Sequence, residues 1–356
     1  MTGGNMGSEP TLARRLLTLA WPVALSRLGI MGMGVCDAMV VGQLAPRELA
    51  HQALGWAPTS VLLVASIGML TGVQVLAART VGAGHPERAA GALQRGLVMS
   101  LLAGAVAVAF SRFVGAHVYA AFGVSGDLIA PSTRIMQVLM LSVPMHLCYV
   151  SGAFFVEAVE RPLLSTYAMW AANLVNLVLN LWLVPRLGAL GSAWATVGAR
   201  FFLAATMLAC IFKLPDAPRL GLHRRCAWPG YKQFLSVGAA AAISHAAESS
   251  AFSGMTIVAG RLGGSAVAAY QILLNLLAIV FMFALGLATA TGVLASQATG
   301  RGAPREAARV SWHGLALNTG LLIAIASAIV LFALPIARAY TADLKVAMLV
   351  ASIMPI

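Results

Sequence analysis

Long apolar runs constrain this sequence more than any other feature. Nine stretches are predominantly apolar over about 20 residues or more, which is long enough for each to cross the hydrocarbon core of a bilayer as a helix. They lack the two-residue alternation of a membrane β-barrel, so the sequence predicts an all-α integral membrane protein. The predicted helices cover residues 16–43, 50–77, 92–116, 131–156, 163–185, 190–212, 233–260, 267–296 and 310–337, and a tenth begins near Lys345.

The composition supports this prediction and excludes several classes of function. Only 10% of the 356 residues are charged, whereas soluble globular proteins carry about 25%. A cytosolic enzyme, a secreted disulfide-linked domain and a nucleic-acid-binding protein are therefore excluded, although the net charge is +12. The four cysteines form no CxxC pair, and the seven histidines are scattered without ligand spacing. We therefore expect no cysteine-based metal site, no disulfide framework and no catalysis.

Lysine and arginine predict which side of the membrane each loop faces, because they remain preferentially on the cytoplasmic side. With the N-terminus inside, the inner segments hold fourteen of these residues and the outer segments hold seven, while Arg27 and Arg200 lie within helices. This bias predicts a multi-pass protein of the inner (plasma) membrane with a cytoplasmic N-terminus. It also explains the positive net charge without an acidic partner.

The chain resembles itself at a constant shift of 218 residues. The shift contains six predicted helices, an even number, so both copies enter the membrane from the same side. The sequence therefore predicts two parallel six-helix bundles related by a pseudo-twofold axis along the membrane normal, an architecture found in transporters. The matched pairs include Gly42 with Gly260, Gly68 with Gly286, Thr71 with Thr289, Gly82 with Gly300, Pro86 with Pro304 and Gly96 with Gly314.

The repeat also predicts the domain organisation. We expect a first lobe over residues 1–212, with helices 1–6, and a second lobe over residues 233–356, with helices 7–9 and the start of a tenth. A cytoplasmic linker over residues 213–232 joins them. Residue 356 is equivalent to residue 138 of the first copy, so about three helices have no counterpart and we expect the second repeat to be incomplete, as in a C-terminally truncated chain.

Two acidic residues fall inside predicted helices, where an ionised side chain is unfavourable by about 2.5 to 3.5 kcal/mol and needs a reason. Asp37 lies in the first helix and Glu248 in the seventh. The repeat pairs them with Met255 and Ile30, so each carboxylate is unique to its lobe. We interpret Asp37 as a cation-coupling residue and Glu248 as a candidate for binding cargo or a proton. The alternative for both is a structural ion pair or a helix end outside the membrane.

Asn173, Asn176 and Asn180 lie on one face of the fifth helix, at spacings of three and four residues. Amide oxygens beside the Asp37 carboxylate would make an oxygen cage suited to sodium, or a hydrogen-bond network that holds a carboxyl proton. Thr196 could add a hydroxyl. The alternative for the asparagines is polar contact between packed helices.

Two further residues of the first helix need an explanation. Pro22 removes a backbone hydrogen bond and is expected to kink the helix. A kinked helix that carries an acid could couple ion binding to bending, and plain packing is the alternative. Arg27 needs a partner within the membrane, for which a salt bridge to Glu248 across the lobes is one option.

Three segments together resemble the multidrug and toxin extrusion (MATE) family: WPVALSRLGIMGMGVCDAMVVGQL, GMLTGVQVLAARTVGAGHPERA with its repeat, and NLVNLVLNLWLV followed by GSAWATVGAR. The resemblance covers essentially the whole chain. It implies twelve helices in two lobes and efflux of cationic, amphiphilic drugs in exchange for sodium or protons. By position it also implies roles for single residues: Asp37, Asn176, Asn180 and Thr196 match the N-lobe cation site, Pro22 the kink of the first helix, and Glu248 an acid of the second lobe in one branch. Gly152 departs from the members that place an asparagine there.

We therefore expect a secondary active antiporter that works by alternating access. Sodium is the ion that Asp37, Asn176 and Asn180 would hold, and no cofactor is expected. The expected partners are small cationic or amphiphilic molecules and membrane lipids, without nucleic acid, and we expect a monomer. One alternative is a lipid-linked precursor flippase of the same superfamily fold, which should line its cavity with several basic residues to hold pyrophosphate. The other is a non-functional truncated fragment.

Overall fold

The computed structural model describes residues 12–121, 126–222, 231–261, 264–340 and 344–354, and within these ranges all regular structure is helical. The α-helices are α1 (Leu12–Leu44), α2 (Leu49–Gly82), α3 (Ala89–Phe113), α4 (Gly115–Ala121), α5 (Gly126–Leu141), α6 (Val143–Ala158), α7 (Leu163–Leu187), α8 (Ala189–Phe212), α9 (Tyr231–Arg261), α10 (Gly264–Gly300), α11 (Pro304–Leu331), α12 (Ala333–Tyr340) and α13 (Leu344–Ile353).

Eight segments within the described ranges are long and apolar enough to cross a membrane. Six of them precede the linker and two belong to α10 and α11, so the prediction of an all-α, multi-pass membrane protein is confirmed. Helix α9 forms where the seventh helix was predicted, although it is not among the eight. It carries His245 and Glu248 near its middle.

The fourth predicted helix is broken into two. Helix α5 ends at Leu141 and α6 begins at Val143, with Pro144 in the first turn of α6. Proline has no N–H with which to continue the backbone ladder of the preceding helix, so the helix restarts at this point. The break places the Ser142 side chain in the interior of the first lobe, where it is fully buried.

Helices α1 and α7 pack in parallel. The Thr166 hydroxyl donates to the Pro22 carbonyl oxygen at 2.7 Å, and Asn173 Nδ2 donates to the Gly29 carbonyl oxygen at 3.0 Å. The partners in both pairs are 144 residues apart. Because the difference in residue number is the same for both pairs, the two helices run in the same direction. Each turn of α1 therefore contacts the residues of α7 that lie about 144 positions later in the chain.

The lobes meet through α1, α2, α9 and α10, and the contacts obey the sequence repeat. A Cβ on Gly68 would lie 2.6 Å from the Cα of Ala242 in α9. The equivalent Cβ on Gly286 would lie 2.7 Å from the Ala20 carbonyl oxygen and 2.9 Å from Cβ of Ala24 in α1. Ala24 and Ala242 are themselves related by the 218-residue shift. Each contact therefore has its symmetry counterpart.

Symmetry-related contacts between the lobes also occur where α2 and α10 end. Gly82 lies against the backbone of Gln297, and Gly300 lies against the backbone of Arg79. Gly82 and Gly300 are repeat partners, and so are Arg79 and Gln297. Only glycine permits such close backbone approach between helices. The pseudo-twofold axis predicted from the sequence is thus present in the structure.

These interlobe contacts lie in the half of the molecule where α1 and α9 begin and where α2 and α10 end, which we call the closed end. A buried apolar cluster joins α1 to α10 and α11 there: Leu16, Leu19, Ala20, Leu287, Ala290, Leu294 and Val310. In the opposite half, apolar side chains of α1 and α9 are exposed, as Val35, Met39 and Met255 show. The lobes therefore pack tightly at one end.

The described part of the linker, residues 213–222, folds against the first lobe at the closed end. The Ala90 amide donates to the Leu220 carbonyl oxygen at 3.2 Å, and Arg161 forms an ion pair with Asp216. Leu214 and Leu222 are buried. Residues 223–230 of the predicted linker lie outside the described residues, as do residues 1–11, and its last two residues, 231 and 232, begin α9.

Candidate functional site

Asp37 is fully buried in the second half of α1, and three side chains from other helices donate hydrogen bonds to its carboxylate. Asn176 Nδ2 donates to Oδ1 at 3.0 Å, Asn180 Nδ2 donates to Oδ1 at 2.7 Å, and Thr196 Oγ1 donates to Oδ2 at 2.7 Å. All three donors are also fully buried. The structure thus brings together the four residues predicted for the cation site, which we call the Asp37 cluster.

Helix geometry explains why these residues meet. Asn176 and Asn180 are four residues apart and share a face of α7, and the parallel register directs that face at Asp37. The chain then reverses at Gly188, whose φ of 59° lies in the region that favours glycine, and α8 returns antiparallel to α7. Thr196 follows two turns into α8 and reaches the same carboxylate from the other side.

The side chains of the Asp37 cluster could accommodate the Asp37 carboxylate both in its ionised form and with a bound proton or cation. The described donors present hydrogens to the carboxylate, which stabilises its ionised form. The amide oxygens Oδ1 of Asn176 and Asn180 are buried without a hydrogen-bond partner. Rotating an amide would turn this oxygen towards Asp37, which is favourable only when a proton or a cation lies between the two oxygens. Carboxylate, amide and hydroxyl oxygens suit a hard cation such as sodium.

A buried arginine, Arg200, lies close to the Asp37 cluster. Its guanidinium donates to Ser142 Oγ at 2.8 Å and lies over the Trp56 ring, 5.1 Å from the centroid. It interacts electrostatically with Asp37 without a hydrogen bond to it. The sequence placed Arg200 within a helix and assigned it no role. Among the described residues no group of three His, Cys, Asp or Glu could hold a metal ion.

A second buried carboxylate, Glu157, pairs with Arg27. Arg27 Nη2 donates to Oε1 of Glu157 at 3.1 Å and to Oε2 at 3.3 Å, and Gln74 Nε2 donates to Oε2 at 2.8 Å. The option of a salt bridge from Arg27 to Glu248 is therefore wrong. The fourth predicted helix ends at residue 156, one residue before Glu157, so the sequence did not predict this carboxylate to lie within the membrane.

Two residues predicted near the site have other partners. Asn173 donates to the carbonyl oxygens of Gly29 and Met169, so it contributes to helix packing and does not reach Asp37. Glu248 lies on α9 with a side chain that is 42% exposed, 3.8 Å from the His245 ring. It makes no hydrogen bond to the Asp37 cluster.

Pro22 and Gly152 also have defined surroundings. Helix α1 continues through Pro22, whose carbonyl oxygen accepts the Thr166 hydroxyl. A Cβ on Gly152 would lie 2.8 Å from Cγ of Met207 in α8. An asparagine at position 152 would therefore meet an apolar side chain of the lobe interior.

Two repeat-related lobes that join at one end, with a buried carboxylate held by neutral donors in the first lobe, are the architecture of a membrane transporter built from parallel repeats. The MatE family model matches residues 22–182 and 240–356. The chain belongs to the MatE family, as its resemblance to MATE proteins implied.

Curated relatives support this assignment. The chain is 40% identical over 310 residues to the probable multidrug resistance protein NorM of Caulobacter vibrioides, covering 85% of this chain and 66% of that protein. It is 29% identical over 352 residues to the multidrug resistance protein PmpM of Pseudomonas aeruginosa, covering 96% and 73%. The chain thus spans just under two thirds of the length of the first relative and nearly three quarters of the second.

Solved structures show the same fold. A multidrug resistance MATE family transporter of the MOP superfamily, described in its outward-facing conformation, matches with a TM-score of 0.87 at 20% identity, covering 96% of this chain and 78% of that one. A MOP superfamily transporter from Pyrococcus furiosus, whose binding pocket is described as having reverse polarity, matches with a TM-score of 0.85 at 19% identity and the same coverage.

Proposed function

We propose that this chain is a secondary active antiporter that exports small cationic or amphiphilic molecules in exchange for Na+ or H+. The Asp37 cluster carries the proposal. A fully buried carboxylate without a hydrogen-bonded cation is unfavourable in a membrane, and it becomes favourable when a proton, a sodium ion or a cationic cargo joins it. The curated relatives named as multidrug resistance proteins support the same assignment.

The interlobe packing supports a transport cycle by alternating access. The excess of lysine and arginine favours a cytoplasmic position for the closed end, and we propose that the linker joins the lobes over residues 1–212 and 233–356 on that side. The structure then corresponds to an outward-open state, in which the Asp37 half of the first lobe faces away from the cytoplasm. In the other state the closed end separates and the opposite end closes. Bending of α1 at Pro22 would accompany ion binding, and Glu248 would bind cargo or a proton in the second lobe.

The basic residues favour an antiporter over a flippase. A pyrophosphate group would need several free cationic side chains along its path. Arg27 is paired with Glu157, and Arg200 is bonded to Ser142 and stacked on Trp56. Both arginines are less than 10% exposed. In this arrangement, therefore, neither guanidinium is free to hold a phosphate.

The test is ethidium transport in proteoliposomes under an imposed pH or sodium gradient. Asp37→Asn keeps the shape and hydrogen-bonding capacity of the side chain but cannot change charge. We expect this variant to lose gradient-driven transport while it elutes as the parent does from a sizing column. Met255→Leu is the matched control, because residue 255 is the repeat partner of residue 37 and carries no charge.

Each contrary result has a definite meaning. If the parent chain moves ethidium under neither gradient, the antiporter assignment is wrong. If Asp37→Asn transports like the parent while Glu248→Gln does not, coupling belongs to the second lobe. If both variants transport normally, carboxylate coupling itself is the wrong mechanism.

A further inference from the structure

Glu157 lies at the seam between the two lobes. It lines a narrow gap together with Pro162 and, from α10, Thr289, Ala290 and Val293. Ala290 also belongs to the apolar cluster that joins α1 to α10 at the closed end. Moving α10 away from α1 would therefore expose this carboxylate to the aqueous space on that side.

While the lobes are packed at the closed end, the guanidinium of Arg27 is hydrogen-bonded to the carboxylate of Glu157. It contacts both oxygens of Glu157 and lies over the Phe154 ring, 5.2 Å from the centroid. A flat, delocalised cation held by a carboxylate and an aromatic ring has the geometry by which proteins bind organic cations. Arg27 thus stands where a free organic cation would bind.

The surroundings allow this cation to be exchanged. Gln74 keeps one hydrogen bond to Glu157 when Arg27 leaves. Nε of Arg27 is buried without a partner, so the guanidinium is incompletely satisfied in its present place. An ion pair exposed to water is weak. Once the lobes separate, Arg27 can therefore leave Glu157 to another cation.

We propose that Glu157, Phe154 and Gln74 form a loading site for organic cations, which opens when the lobes separate at the closed end, and that Arg27 reoccupies the site when they close. The inference rests on the proposed transport function but concerns a different carboxylate. Arg27 precedes Asp37 by ten residues on α1, about 15 Å along the helix. The two carboxylates would therefore bind cargo at successive depths.

The test is the apparent KM for ethidium presented to the closed-end side of proteoliposomes. Glu157→Gln should raise KM about fivefold, because the attractive charge is lost. Arg27→Gln should lower KM, because the tethered competitor is removed. The double variant Arg27→Gln/Glu157→Gln leaves no unpaired buried charge and should also show a raised KM. If either single variant fails to fold, the KM of the double variant tests the proposed site by itself.

The control is Arg15→Gln/Glu160→Gln, which removes an exposed ion pair between α1 and the α6–α7 turn and should keep the parental KM. If both single variants impair transport alike and the double variant restores the parental KM, the pair is structural and the inference is overturned. A double variant with parental KM and an altered pH dependence would make Glu157 a proton site, which also overturns it. If the parent moves no ethidium, the proposed function fails instead.

Discussion

Replacing Gly286 with alanine should destabilise the closed end. The new Cβ would lie 2.7 Å from the Ala20 carbonyl oxygen and 2.9 Å from Cβ of Ala24, whereas ordinary contact begins at 3.4 Å. The oxygen belongs to the backbone of a packed helix and cannot rotate away. Helix α10 must therefore move from α1 by about 0.7 Å, the difference between 3.4 and 2.7 Å.

The size of the effect follows from the two states that the substitution distinguishes. Overpacking of this kind is unfavourable by about 1–3 kcal/mol, and here it acts on the closed arrangement alone. Alanine also favours a helix over glycine by roughly 1 kcal/mol, but this gain is the same in both states and cancels. The ratio of molecules whose lobes are packed at the closed end to molecules whose lobes are separated there should therefore fall by about 5- to 150-fold.

The assay is the rate at which a maleimide labels Ala290→Cys in detergent, in a background without the native cysteines. Ala290 is 1% exposed at the closed end, so labelling requires the lobes to separate. Gly286→Ala should raise the rate by about fivefold or more. Gly292→Ala, on the same helix with no atom within 4 Å of its new Cβ, should leave it unchanged. Equal rates in these two variants would refute the reasoning.

Two further predictions concern the orientation and the Asp37 cluster. A cysteine at the exposed position Gln233 should react with an impermeant maleimide only after intact cells are permeabilised, because the lysine and arginine bias predicts a cytoplasmic linker; strong labelling without permeabilisation would contradict this orientation. Thr196→Val removes the hydroxyl that donates to Asp37 at 2.7 Å and should reduce gradient-driven ethidium transport by about tenfold or more, since a hydrogen bond to a charged group contributes roughly 1.5–3 kcal/mol. Thr196→Ser should retain transport, and parental rates in Thr196→Val would show that the hydroxyl is not needed.

The sequence repeat predicted the symmetry of the structure down to single contacts. Gly68 and Gly286 were matched because a 218-residue shift aligned them, and each lies at an equivalent close approach between the lobes. Glycine is retained at such positions because any Cβ would collide with a neighbouring backbone. The repeat did not predict which end of the lobes is closed, because a symmetric pattern is compatible with both ends.

The candidate site was predictable where helix periodicity decides the geometry. Asn176 and Asn180 share a face and both reach Asp37, as their spacing suggested. Asn173 shares that face but lies three residues before Asn176 and about two turns before Asn180, and the parallel register brings it to Gly29 instead. Periodicity predicts the face of a helix, whereas the depth of a contact depends on how two helices are aligned along their axes.

The Arg27–Glu157 pair shows where sequence reasoning was insufficient. The sequence predicts that Arg27 needs a partner, because an unpaired arginine is unfavourable within the membrane. The boundary of the fourth predicted helix excluded Glu157 by one residue, and helix boundaries are the least reliable part of such a prediction. The segment SGAFFVEAVERP is apolar up to this acid, so extending the helix by one turn would have identified it.

The two buried carboxylates of the first lobe, Asp37 and Glu157, are compensated in different ways, and this difference would give the proposed transport cycle a direction. Glu157 has a covalently tethered cation, so its charge is compensated when the closed end is closed. Asp37 has neutral hydrogen-bond donors and only the electrostatic influence of Arg200, so its full compensation requires a mobile proton or cation. In the proposed cycle, an ion would therefore reach Asp37 from the open side while Arg27 remains on Glu157. In the opposite arrangement of the proposed cycle, that ion would be released and an organic cation would displace Arg27 from Glu157.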